Sequence, residues 1–173
     1  MLHLLEYRGA KGKFMRGIAT LVFLLLLTFW SGMVLGVSFL ATPVKFQVPS
    51  LTLQTAVEIG WYTFRLLARV ELVFLLAALL LTTIQKPQKK TIVVSVLVMV
   101  VMALQRYWLL PVLDDRVSQL LTGRTLTSSI HHLLYAMTEA IKIMLLITGA
   151  VVEYHSQTKS ESDKLKFRQV KLP

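Results

Sequence analysis

The chain has 173 residues, 55% hydrophobic, with a mean hydropathy of +0.64 and 16% charged residues, where a soluble domain averages about 25% charged. That composition belongs to an integral membrane protein with one compact membrane domain. The absence of cysteine excludes disulfides, thiolate metal sites and cysteine nucleophiles. The net charge of +10 does not imply nucleic acid, because the basic residues flank apolar runs, where topology signals belong.

Residues 1–16 form a basic arm carrying Arg8, Lys11, Lys13 and Arg16. The first apolar run covers about 17–41 and is too long for a cleavable leader. Within it, Thr28, Gly32 and Gly36 recur every four residues, a small-residue spacing that lets helices approach closely. These three are expected to be packing residues, against another helix of the bundle or in a dimer. Trp30 and Met33 flank them as ordinary lipid or core contacts. Pro43 and Pro49 punctuate the following loop, so helix one is expected to end there. Ser50 or Thr52 is placed to cap the next helix.

The second run covers about 55–85 and holds Arg69 and Glu71. Its first ten residues exceed a span, and Trp61 and Tyr62 suit the headgroup level. A turn bearing Lys86, Lys89 and Lys90 leads to the third run, about 91–113. That run ends on Gln105, Arg106, Tyr107 and Trp108 before Pro111. Val112 to Leu121 reads as a separate short interfacial helix, capped by Asp114-Asp115-Arg116 and ended by Gly123. Residues 42–54 and 114–127 form the other two connections.

The fourth run, about 128–154, carries His131, His132, Tyr135, Glu139, Lys142, Gly149 and Glu153. From His132 the later residues lie at +3, +7, +10, +17 and +21, so they share one helix face. Glu139 and Lys142 fall near the middle of a span, where ionisable groups must face protein or water. Residues 156–173 form a charged, mobile tail.

Each run exceeds the roughly 20 residues needed to cross the hydrocarbon core, and lipid permits only helices there. The expected fold is therefore an all-α four-helix transmembrane bundle over residues 17–155. Twelve Lys and Arg lie in the arm, the middle turn and the tail, against three in the other connections (Lys45, Arg116 and Arg124). This asymmetry predicts cytoplasmic termini in a plasma membrane, the inner membrane if bacterial.

Arg69, Glu71, Gln105, Arg106, His131, His132, Tyr135, Glu139 and Lys142 are expected to converge in the outer leaflet. They would line an outward-opening pocket above an apolar plug. One reading makes them structural glue, with Lys142, Arg69 or Arg106 neutralising Glu139 or Glu71. The other makes them a binding or proton-exchange site. Adjacent histidines point about 100° apart on a helix, so His131 and His132 do not form a haem or metal pair, which leaves a metal held by one of them with Glu139 or Glu71 as the lesser alternative to proton exchange. No cofactor is expected. Phe29-Trp30-Ser31-Gly32 with Thr42-Pro43-Val44-Lys45-Phe46, Gln105 to Pro111, and Ile130 to Tyr135 with Glu139 resemble a family of small four-span membrane proteins assigned to a domain of unknown function. The resemblance implies the four-helix fold and no established activity.

The leading functional expectation is a non-enzymatic component that binds or moves a small molecule or ion, or an accessory subunit of a larger membrane complex. Four spans are few for a complete transporter, so a homo-oligomer or a larger complex is expected. The alternative is a membrane enzyme using Glu139 and His132 for acid–base chemistry on a lipid or isoprenoid.

Overall fold

The computed structural model describes residues 2–85, 87–122 and 130–170. Among these there are four long helical runs and no strand. Helix α1 comprises Leu2–Val34, a π-helical stretch Leu35–Ala41, and Thr42–Lys45. Helix α2 spans Leu53–Gln85. Helix α3 comprises Lys89–Leu104, a second π stretch Gln105–Leu109, and Leu110–Leu121. Helix α4 spans His131–Val170. All four are long and apolar enough to cross a membrane, as expected of a multi-pass membrane protein.

Two boundaries differ from the sequence expectation, and both involve proline. Helix α1 continues through Pro43, and α3 continues through Pro111, so the amphipathic segment is not a separate helix. A proline cannot donate to the carbonyl four residues back, and its ring crowds that carbonyl. In both places the helix slips into i→i+5 bonding just upstream: Thr42 N–H bonds Val37 O, and Leu110 N–H bonds Gln105 O. The Thr42 hydroxyl also donates to Val37 O at 2.9 Å. The chain thus absorbs each proline as a π bulge instead of ending.

Thr52 is the cap of α2, its Oγ1 accepting from Thr55 N–H at 3.2 Å. At 33 residues α2 is about 50 Å long, more than the roughly 30 Å hydrocarbon core. The charged tail is helical to Val170, in keeping with the high helix propensity of its Lys, Glu and Gln residues. Gly123, Arg124 and Ser128, to which the sequence assigns a helix end, a loop charge and a helix start, lie outside the described residues.

Helix α1 packs against both α2 and α4, and α3 packs against α4. Helix α2 meets α3 mainly through the Leu110–Leu121 segment, leaving a cleft between α2 and the rest of α3. Neighbouring helices are antiparallel. The turn after α2 and both termini therefore lie at one end, and the other two connections at the opposite, or loop, end.

The apolar core is built on Phe23, Leu27, Trp30, Val34, Ala78, Val98 and Leu146. Its close packing depends on Gly149. A Cβ there would meet Val94 Cγ1 at 3.2 Å and Leu27 Cδ1 at 3.4 Å. The Thr28-Gly32-Gly36 face does not pack within the bundle, contrary to that expectation. A Cβ on Gly32 or Gly36 would meet nothing within 4 Å, and Thr28 and Gly32 are exposed. Helix α1 instead turns Phe23, Leu27, Trp30 and Val34 inward, an i, i+4, i+7, i+11 stripe on nearly the opposite side of the helix from the glycines.

Candidate functional site: a buried charge centre

The polar stripe of α4 is buried along most of its length. Tyr135, Glu139, Lys142, Gly149 and Glu153 face inward, whereas His132 is exposed and His131 half-buried. Every helix contributes a group to the centre around Lys142. The Lys142 ammonium lies 2.6 Å from Glu71 Oε1 of α2 and 3.1 Å from Glu139 Oε1 of α4. It donates to Gln105 Oε1 of α3 at 3.0 Å. The Trp30 indole of α1 donates to Glu71 Oε1 at 3.0 Å. The Gln105 amide donates to Glu139 Oε1 and to Thr138 Oγ1, both at 2.9 Å. Glu139 and Lys142 are 0% exposed and Glu71 2%.

The π bulge beginning at Gln105 helps explain this geometry. Widening the helix there buries Gln105, Leu109 and Leu110 together, and Gln105 bridges Lys142 to Glu139 through its two ends.

The centre contains two carboxylates and one ammonium, so full ionisation leaves one uncompensated negative charge. One oxygen, Glu139 Oε2, is buried without a close hydrogen-bond partner, and the Tyr135 hydroxyl is the Glu139 carboxyl's remaining hydrogen-bonding neighbour. A buried charge or polar atom with no partner is costly. One more positive charge at that oxygen, a proton or a small cation, would remove both deficits.

Of the nine residues expected to converge, Glu71, Gln105, Glu139 and Lys142 form the centre, with Tyr135 buried beside it. Arg69 and Arg106 do not neutralise Glu71 or Glu139. They are exposed at the mouth of the α2–α3 cleft, and the cation between the carboxylates is Lys142. His132 lies about two turns, roughly 10 Å along the axis, from Glu139. It lines a different cavity, so the two do not form an acid–base pair. Among the described residues no group of three His, Asp or Glu could hold a metal ion.

Three polar pairings are not foreseen from the sequence. Trp30 is a hydrogen-bond donor and not only a packing residue. Asp114 accepts from the Trp61 indole at 2.6 Å and pairs with Arg65 at 2.7 Å, tying the loop-end segment of α3 to α2. The half of the bundle nearer the termini is also not purely an apolar plug. Glu153, 0% exposed, accepts from Thr91 Oγ1 at 2.7 Å and from Gln157 at 2.9 Å. A carboxylate twenty-one residues from His132 on the stripe was the available signal for that pair.

Two cavities flank the centre. A cavity of about 320 Å³ at the loop end is walled by Phe64, Leu110, Leu113 and Tyr135, with Lys45 and His132 at its polar edge. A Cβ on Gly60 would collide with the Lys45 ammonium, so that glycine makes room for the cation. The α2–α3 cleft, about 390 Å³, reaches Glu71, Gln105 and Tyr135. Tyr135 lines both and stacks edge-on against Phe64, with ring centroids 5.2 Å apart. Comparison with protein-family models, with curated proteins and with solved structures finds no match.

Proposed function

We propose that the protein is a transport-like membrane component that takes up and releases one proton at the Glu71–Lys142–Glu139 centre. The observation that carries this reading is the unbalanced set of two buried acids and one buried base, Glu71 and Glu139 sharing the single Lys142 ammonium. Groups of this kind inside a membrane domain commonly belong to proton or ion paths. The α2–α3 cleft reaches Glu71 and Gln105, which gives the centre a route to the surface. With only four spans, the protein works as a homo-oligomer or within a larger membrane complex, and it belongs to the small four-span family that its motifs resemble.

The test is proton movement in proteoliposomes under an imposed membrane potential, read by an entrapped pH dye. Wild-type vesicles should acidify faster than protein-free vesicles, and Glu139→Gln, reconstituted to the same folded amount, should fall to the protein-free rate. Equal rates in all three would overturn the reading.

The same reading has both termini in the cytoplasm of the plasma membrane, on the strength of the Lys and Arg asymmetry. In intact cells, a cysteine at Ser50 should react with an impermeant maleimide and one at Ser160 should not. The reverse pattern would invert the topology.

A further inference from the structure

The mouth of the α2–α3 cleft collects cations that the buried centre does not use. Arg65, Arg69 and Arg106 share one surface hollow with Asp114, Leu110 and Pro111. Arg65 is paired with Asp114 at 2.7 Å. Arg69 and Arg106 have no acidic or hydrogen-bond partner among the described residues. With three guanidinium groups and one carboxylate, the hollow has a surplus of two positive charges. Guanidinium is the side chain best shaped for bidentate contact with phosphate oxygens.

The hollow continues into the α2–α3 cleft, whose outer walls are apolar and whose deep end reaches Glu71 and Gln105. Arg69, Arg106 and Leu110 belong both to the hollow and to the cleft, whose further walls include Leu72, Leu75, Met99 and Met102. From Arg65 to Leu75 is ten residues of helix, about 15 Å. That is half of the roughly 30 Å hydrocarbon core, the depth of one leaflet. The cleft exists because α2 and the Lys89–Leu104 segment of α3 do not close on each other. A cationic hollow that opens directly into a cleft with apolar outer walls, about one leaflet deep from Arg65 to Leu75, is complementary in shape and charge to an anionic lipid.

We propose that this cleft binds an anionic phospholipid. Its phosphate lies on Arg69 and Arg106, with Arg65 alongside, and an acyl chain lies along Leu72, Leu75 and Met99 on the outer side of the cleft, leaving the deep end at Glu71 and Gln105 uncovered. Phosphatidylglycerol serves as the probe, because it carries one net negative charge on a phosphodiester. Phosphatidylcholine with the same chains keeps the tails and cancels the charge, and glycerol 1-phosphate keeps a glycerol-linked phosphate, as a more highly charged monoester, and lacks the tails.

Delipidated protein in neutral detergent is titrated with each and followed by native mass spectrometry. Phosphatidylglycerol should be retained about tenfold more tightly than phosphatidylcholine, the order expected of two charge-assisted contacts at a partly wet site. Glycerol 1-phosphate should be retained far less than either. Arg69→Gln with Arg106→Gln should abolish the preference for phosphatidylglycerol. Met102→Trp, which fills the cleft and keeps every charge, should weaken both lipids alike. A phosphatidylglycerol with a photoreactive group near the end of one chain should crosslink the unmodified protein at Leu75, Met99 or Met102, a measurement that needs no variant. Equal retention of the two lipids, an unchanged preference in the double variant, or crosslinks confined to other faces would overturn the proposal. Glycerol 1-phosphate binding as tightly as the lipid would make the hollow a soluble-anion site and overturn it too.

Discussion

Lys142→Met is expected to be the most damaging single substitution in the bundle. It removes the only cation contacting Glu71 and Glu139 among the described residues and leaves the buried acids without a counter-charge. Breaking a buried pair from one side typically costs about 3–5 kcal/mol, a large share of the total stability of an ordinary domain. The loss should appear as a lower unfolding midpoint and a lower folded yield in detergent. Arg69→Met, at an exposed cation, should cost less than about 1 kcal/mol. Neutralising the whole centre, with Glu71→Gln and Glu139→Gln added to Lys142→Met, should restore much of the loss. Replacing a complete buried ionic set by neutral groups of similar size is often close to neutral. The Trp30 indole would still meet an acceptor at position 71. If the triple variant is as unstable as Lys142→Met alone, stranded charge is not the cause and the ammonium acts through packing.

Gly149→Leu is the second large effect. Even a Cβ at this position meets Val94 and Leu27 at 3.2 and 3.4 Å, and three further carbons would force α4 away from α1 and α3. Overpacking of this kind costs about 1–3 kcal/mol. Because lipid is as apolar as the core, helix association in a membrane depends on such close fits. Gly36→Leu points into open space and should leave the midpoint within about 0.5 kcal/mol of the wild type. Equal midpoints for the two variants would place α4 differently from the packing described above.

Much of the fold was legible because bilayer thickness dictates span length and lipid leaves the backbone no partner but its own helix. The inward face of α4 was legible for a related reason: Tyr135, Glu139 and Lys142 lie at helical spacing in an otherwise apolar run, and polar groups there must face inward. The helix ends around Pro43 and Pro111 were not. A proline signals that an i→i+4 bond is missing, but not whether the chain stops or slips by one residue. The partner of Glu139 was also ambiguous. Arg69, Arg106 and Lys142 all lie at suitable depth, and only the rotation of α2 and α3 decides which cation points inward. The glycine spacing on α1 was ambiguous for the same reason. Gly32 and Gly36 show that a face could approach another helix, whereas Trp30 and Phe23, large enough to fill the core, determine which face does.

The most direct test of the account counts protons on the buried acids. Infrared difference spectra of the purified protein at neutral pH, with each carboxyl neutralised in turn, report which side chains are protonated. One protonated carboxyl band should be present that disappears in both Glu139→Gln and Glu71→Gln, since either variant leaves one acid balanced by Lys142. Asp114→Asn should leave that band in place. If no such band exists in the wild type, both acids are ionised around a single ammonium, and the proton-holding centre is contradicted.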